Sequence, residues 1–412
     1  MATAVKTQFN VGGVLLDRPF KIRRLGHFGF NVEDMDAAER FYIDLLGFRI
    51  SDIHDGPVRR ASPEVREQLQ GLGAPGYFTR YGSDHHAFVL GNLRVRRILD
   101  PARAGRPEIT INQITWQVGS LAEVVNAWSW FTDRGVPVSR TGRDMPGSNW
   151  HSYLPDPDGH TNELYYGIEQ IGWQGYSKPK PMYDRAFHEP VPLPQISEFK
   201  EVQDAMERGQ DILEGYRFVE RLPATYDVDG VLLPRPFKIT KIGPVSLFAP
   251  DLDQSRHFYE HELGFTLTEE TEWNGHRCLF LRSNTEHHSL ALYPLEMRQA
   301  LGFSPHTRCM AFGLQLANYR QLKDAVEFLR GNGVTVRDDL PPELTPGMDY
   351  TAHAFDADGH CVQLYYYMEQ IGWDGKPRPA HLRRRIEPGR WPDALEPVSD
   401  TYHGEPFFGP WG

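Results

Sequence analysis

The sequence predicts an α+β fold: four modules, each of one strand, one helix and three strands, arranged as two halves related by duplication. Three observations carry the prediction. GVLLDRPFKI at 13–22 returns as GVLLPRPFKI at 230–239, and DPDGHTNELYYGIEQIGW at 156–173 returns as DADGHCVQLYYYMEQIGW at 356–373. Inside each half the order apolar strand, helix, glycine stop, strand occurs twice. Each time it is followed by segments in which apolar and polar residues alternate with the period of a half-buried strand.

The first module opens with RRLGHFGFNVEDMDAAERFYIDLLGFRI. It reads as an apolar strand, an acidic helix start at Asp34 or Asp36, a helix whose inner side carries Ala38, Phe41, Tyr42 and Leu45, and a stop at Gly47. NQITWQVGSLAEVVNAWSWFTDRGVPV, KIGPVSLFAPDLDQSRHFYEHELGFTL and MAFGLQLANYRQLKDAVEFLRGNGVTV repeat that order, and HAFVL, NELYY, HSLALY and VQLYY supply the alternating strands. The halves are expected at 11–175, with modules 22–100 and 109–170, and at 227–375, with modules 240–297 and 308–370. The Pro-rich stretch 176–226 reads as a connector with a helix in EFKEVQDAMERGQDILEGY, and 376–412 as a C-terminal arm. The repeat offset falls from 217 residues at the first phrase to 202 at the double histidines His85-His86 and His287-His288. The first half therefore holds about 15 additional residues, placed in the polar HDGPVRRASPEVREQLQGLGAPG and expected on the surface with Arg59 and Arg60 solvated.

Of 412 residues, 40% are hydrophobic and 24% charged, the balance of a globular protein. Net charge is −11, which excludes a basic nucleic-acid footprint, and no apolar run approaches the roughly 18 residues of a membrane span. MATAVKTQFN has neither the basic start nor the apolar segment of a secretory signal, so a cytoplasmic address is expected. Cys278, Cys309 and Cys361 lack paired spacing and read as small core residues rather than metal thiolates or disulfides.

Paired modules with Phe-Tyr-x-x-x-Leu-Gly-Phe after the helix, here Phe41 to Phe48, resemble the vicinal oxygen chelate superfamily of glyoxalases, antibiotic-resistance proteins and type I extradiol dioxygenases. The stretch from Tyr153 through Pro155, Asp156, Pro157 and Gly159 to Glu163, together with HHAFVL and HHSLAL, is most similar to the extradiol enzymes. The resemblance implies that each pair of modules wraps into a cup. It also implies Fe(II), with Mn(II), Zn(II) or Co(II) as alternatives, and a catechol-like aromatic substrate together with dioxygen. A homo-oligomer is expected, with no nucleic-acid or membrane partner.

Residue by residue, His27 matches the first metal ligand, Glu163 the carboxylate ligand, His86 an acid-base histidine and Tyr153 a tyrosine near the substrate oxygen. The second ligand position falls on Gln113, which departs from the family's histidine. Either Gln113 binds through its amide oxygen or His86 is the second ligand, and imidazole is the stronger donor for first-row metals. We expect His27, His86 and Glu163 to hold the metal, with His151 as the spare acid-base group beside Tyr153. His85 is expected to be exposed. In the second half the three ligand positions hold Pro244, Ala311 and Gln363, so metal is expected in the first half alone. The same scaffold also serves metal-dependent isomerases, epimerases and lyases, and metal-free proteins that sequester aromatic ligands. These are the rival readings.

Overall fold

The computed structural model describes residues 8–395 except 102–107, 109, 145, 186, 187, 191 and 373. The first half opens with a two-stranded ribbon, β1 (Phe9–Val11) and β2 (Val14–Leu16). Its main sheet is built from β3 (Ile22–Val32), β4 (Arg49–Ile53), β5 (Gly76–Arg80), β6 (Phe88–Asn92), β7 (Ile111–Val118), β8 (Arg140–Arg143), β9 (Trp150–Pro155) and β10 (Thr161–Tyr166). The second half repeats the ribbon as β11 (Tyr226–Val228) and β12 (Val231–Leu233). Its sheet comprises β13 (Ile239–Ala249), β14 (Thr266–Trp273), β15 (His276–Arg282), β16 (Leu290–Pro294), β17 (Cys309–Leu316), β18 (Thr335–Arg337), β19 (Thr351–Phe355) and β20 (Cys361–Tyr365).

Both sheets have eight strands in equivalent order, β4-β5-β6-β3-β7-β10-β9-β8 and β14-β15-β16-β13-β17-β20-β19-β18. The opening strands of the two modules, β3 and β7, pair antiparallel at the centre of the first sheet, while β3–β6 and β7–β10 are parallel. The modules therefore pair within each half.

Alternation along β3 sends Phe28, Phe30 and Val32 to the core and His27 toward the opposite face. Phe28 stacks on Phe312 of the second half with ring centroids 4.6 Å apart, and Phe30 on His360 at 4.2 Å, so one apolar core runs through both halves. The helix after β3 begins at an Asp34 cap and buries Met35, Ala38, Phe41, Tyr42, Ile43 and Leu45, as its periodicity predicts, although its second part (Glu39–Leu45) is wound as a π-helix.

The duplicated Asp-x-Asp-Gly-His turn is the fastening between the halves. Tyr42 donates from the first half to Asp356 Oδ2 in the second (3.0 Å), and Tyr259 returns the contact to Asp156 Oδ2 (2.9 Å). Asp158 accepts from Ser255 Oγ (2.7 Å), and Asp358 from the backbone N–H of Glu33 (2.7 Å). The phrase is repeated because each copy docks on the other half.

The connector helix is Glu198–Glu207, shorter than its pattern suggests, and the chain turns at Gly209 with φ 77°. It is tied to the first half by a buried pair in which Arg143 Nη2 donates to Glu201 Oε2 at 2.8 Å. The insertion folds as two short helices, Gly56–Arg60 and Pro63–Gln68. Residues 396–412 of the expected arm, and Trp373 of the second EQIGW phrase, lie outside the described residues. Among the described residues no helix is long and apolar enough to cross a membrane.

Candidate functional site

Glu163 sits on β10, fully buried in the concave face of the first sheet. Register brings Thr115 of β7 and Tyr153 of β9 directly beside it, and His27 of β3 beside Thr115. Its Oε2 lies 3.0 Å from His27 Nε2 and accepts from Thr115 Oγ1 (2.8 Å) and Gln113 Nε2 (3.2 Å), while Oε1 accepts from Asn149 Nδ2 (2.6 Å). Burial would raise this carboxyl, but the adjoining His27 and its hydrogen bonds win and hold it below the usual carboxylate range.

His86 is buried with its ring centroid 4.4 Å from that of His27, and its Nδ1 lies 3.0 Å from Nδ1 of His85. Burial first, then the neighbouring His27 and His85, keeps it far below the usual imidazole range and hence neutral. His85, expected at the surface, is fully buried with its Nε2 3.4 Å from Asp52. Its backbone N–H bonds to the Glu169 carbonyl, which draws it inward. His151 lies with Nδ1 3.9 Å from Glu163 Oε1 and, among the described residues, has no hydrogen bond to either ring nitrogen; burial lowers its pKa as well. Tyr153 packs against the His151 ring at 4.6 Å and under the Arg140 guanidinium at 4.5 Å, and burial followed by the Glu163 charge raises its hydroxyl well above the ordinary value.

Of these groups His86, Gln113, Asn149 and Tyr153 line a cleft of about 420 Å³, with Phe78, Val89 and Asn112 as further walls, while His27, His85, His151 and Glu163 are fully buried and do not line it. Asn112 and Gln113 both reach it because the register slips between Gly29 and Phe30, leaving Asn112 as an extra residue in β7. Such bulges re-aim side chains beside active sites. The insertion is not merely surface, since Gly56, Pro57 and Arg60 form part of the rim.

The second half shows what the same frame does without these groups. Its register places Pro244, Ala311, Gly313 and Gln363 where the first half has His27, Gln113, Thr115 and Glu163. Its cup is filled: Phe248, Tyr293 and Met310, buried in one apolar cluster, occupy the positions of Asn31, Gly91 and Asn112. A Cβ at Gly91 would stand 2.5 Å from Asn31 Oδ1 and 2.9 Å from Asn112 Nδ2, so glycine there preserves the polar wall of the open cup.

The model of the Glyoxalase/Bleomycin resistance protein/Dioxygenase superfamily matches residues 24–164 and 241–364. The chain belongs to this superfamily. Among characterised members it is 29% identical over 143 residues to biphenyl-2,3-diol 1,2-dioxygenase of Paraburkholderia xenovorans, which covers 35% of this chain and 40% of the relative. It is 24% identical over 147 residues to 3-methylcatechol 2,3-dioxygenase of Pseudomonas putida, covering 36% of this chain and 43% of that one. The matched stretch thus spans about two-fifths of these relatives' length. In fold it resembles a halotolerant catechol dioxygenase (TM-score 0.54, 14% identity, 87% of this chain and 91% of that one). It also resembles a Mn(II)-bound glyoxalase from Novosphingobium aromaticivorans (TM-score 0.52, 14% identity, 86% and 85%).

His27 and Glu163 have the spacing of two neighbouring ligands of a divalent cation, but among the described residues neither His86 nor His151 brings a nitrogen within 4.8 Å of both. Two ligands at right angles on one ion, with bonds of about 2.1 Å, stand about 3 Å apart, the separation of His27 Nε2 and Glu163 Oε2. The carboxylate supplies the anionic partner that a desolvated cation needs, and neutral His86 and His151 are competent donors nearby. A different group, Asp156, Asp158 and His160, is the one set of three acidic or histidine donors lying within 4.8 Å of one another among the described residues. Asp156 there is already occupied by Tyr259 and by His160 Nδ1 at 3.0 Å, so we assign that set to the joint between the halves. Sequence reading missed Thr115, Asn149, Arg140 and Asn112. Aligning the halves could have flagged the first, which becomes Gly313; no local pattern marks the others.

Proposed function

We propose that the first half is a metal-dependent, ring-cleaving dioxygenase site for a catechol-type aromatic, loaded with Fe(II), and that the second half is structural. The observation that carries this reading is the buried His27–Glu163 pair, held by Gln113 and Asn149, which line the cleft, in a half whose duplicate has lost both groups and filled its cup. In this reading His27 and Glu163 anchor the metal, and His86 completes the site, with Gln113 the alternative. When bound, the metal supplies positive charge that stabilises the ionised substrate hydroxyls and a place where substrate and dioxygen meet.

The chain's own groups then have distinct tasks. Phe78 and Val89 offer the ring an apolar wall that excludes water. Tyr153, protonated throughout the physiological range, donates a hydrogen bond to a substrate oxygen, and Arg140 above its ring fixes its position. His151, neutral and with no hydrogen bond to either nitrogen among the described residues, accepts a proton from a substrate hydroxyl at one of them and can return it later. His86 would share that task if Gln113 holds the metal.

Protein reconstituted with Fe(II) under nitrogen, then exposed to air with a panel of catechols, should consume one dioxygen per ring opened. An absence of oxygen uptake across the panel would defeat the proposal. Gln113 in place of a histidine favours a second reading, an isomerase or lyase in which the metal stabilises an enolate. Turnover that persists without oxygen would select it.

A further inference from the structure

We infer that a second cavity, where the ribbon of the second half packs against the first sheet, binds a phosphorylated small molecule whose phosphate is seated between Arg49 and Arg80. It shares no lining residue with the cleft and stands independently of the ring-cleaving reading.

The cavity, of about 560 Å³, is walled by Arg49 and Arg80 of the first sheet, Arg217 and Phe218 of the connector, Lys238 of the second half and Trp173. Glu220 is the single carboxylate of its described lining, and Arg235 already holds it at 3.1 and 3.2 Å. The wall is therefore cationic in a chain whose net charge is −11, a local reversal that draws anions in.

Arg49 on β4 and Arg80 on β5 stand directly opposite each other in the ladder. Both side chains thus leave the sheet on one side, and like charges meet where opposite ones would stabilise. Arg80 is only 8% exposed; its Nη1 donates to the Gly82 carbonyl (3.0 Å), and its Nε has no partner among the described residues. Burial, and then Arg49, push its pKa down to about 10. A guanidinium so buried, with a second beside it and no carboxylate on either among the described residues, is a seat for an anion.

The duplicate shows the same arginine held for the fold alone. Arg282 is opposed by uncharged Thr266 and donates to Thr268 Oγ1 (2.9 Å) and the Gly375 carbonyl (3.2 Å). In the first half the hydroxyl in the place of Thr268, Ser51 Oγ, is buried and also lacks a partner among the described residues, and Gly175, in the place of Gly375, lines the cavity. Arg80 has left both of those partners, and a second arginine has replaced the threonine opposite it.

Phosphate matches the pair because guanidinium forks meet its oxygens with parallel hydrogen bonds, and a phosphate ester carries about −2 at neutral pH, one charge for each arginine. The cavity is larger than a phosphate ion, and fully exposed Trp173, with Phe218 and Phe237, offers an apolar wall to an organic part.

The test is calorimetry on chelator-treated full-length protein, which keeps phosphate off any metal in the cleft, with AMP, adenosine and inorganic phosphate as probes. AMP should bind roughly tenfold tighter or better than either of the others, and its advantage over adenosine should shrink as salt rises from about 20 to about 500 mM. Arg49→Thr, which copies the second half and relieves the like-charge contact, should weaken AMP roughly tenfold or more while melting no lower than the parent. Arg80→Gln should weaken it further, and if that protein does not fold, Arg49→Thr decides. AMP no tighter than adenosine, or equally tight on Arg49→Thr, would overturn the inference. So would loss of AMP binding in Asn112→Met, which plugs the cleft instead. Inorganic phosphate as tight as AMP would overturn the role of the apolar wall.

Discussion

Replacing Glu163 by glutamine makes in the first half the exchange already present at Gln363, and its consequences can be worked from the contacts. The carboxylate faces His27 Nε2, Thr115 Oγ1 and Gln113 Nε2 on one oxygen and Asn149 Nδ2 on the other. An amide has one acceptor oxygen, so however it turns, its NH₂ meets either the Asn149 NH₂ or the Thr115–Gln113 pair. The orphaned donor costs about 1–3 kcal/mol, and weakening the remaining charge-assisted bonds adds on the order of 1 kcal/mol. Relief from burying a charge offsets part of this, leaving a net loss of about 2 kcal/mol. Gln363 escapes the penalty because Pro244, Gly313 and Ala311 around it carry no competing donors. Urea unfolding at pH 7 in chelator should show that loss for Glu163→Gln. A second series with Mn(II) or Fe(II) at about a hundred times the parent's dissociation constant should stabilise the parent by about 2.7 kcal/mol and the variant not at all. A variant as stable as the parent, or stabilised equally by metal, would refute both the hydrogen-bond reasoning and the anchoring role of the carboxylate.

Other consequences follow from the same geometry. Tyr42→Phe removes a donor to buried Asp356 across the joint, and Tyr259→Phe does the same at Asp156. Each should cost about 1.5–3 kcal/mol in chemical denaturation, with the transition remaining a single cooperative step because the core is shared. Asn112→Met copies the plug at Met310 and should abolish ligand binding measured by calorimetry while changing the melting temperature by only a few degrees. His353, buried and with neither ring nitrogen hydrogen-bonded among the described residues, is held at about 3, by burial first and then by Arg337. Its folded value lies below its unfolded one, so the unfolded chain binds more protons between pH 6.5 and about 3. Stability should therefore fall as pH drops through that window, by up to about 1.4 kcal/mol per pH unit from this residue. His353→Leu should flatten the slope by that amount in pH-resolved denaturation, and an unchanged slope would contradict it.

Much of this protein was written locally. The two copies of GVLLxRPFKI and of the Asp-x-Asp-Gly-His phrase announced the duplication, the Phe41–Phe48 motif announced the module, alternation along the strands showed which were half-buried, and the resemblance to the extradiol enzymes pointed to His27 and Glu163. Side-chain period depends only on backbone geometry, so neighbours along a strand are enough to read it. Three matters needed the folded chain. His85 was expected outside and lies inside, because a contact with Glu169, far along the sequence, decides its burial. The donors around Glu163 come from two strands and a loop whose juxtaposition depends on register, and the bulge at Asn112 is a property of a strand pair rather than of one strand. Whether each cup is open or filled also emerged only in three dimensions. Tyr293 and Met310 look like ordinary strand residues until packing shows that they occupy the volume that Gly91 and Asn112 leave to a ligand. The sequence alone thus determined which residues share a face within each strand and that one half had lost its charge. The tertiary structure decided what those faces enclose, because volume and long-range pairing are properties of the assembled sheet, which no stretch of chain contains by itself.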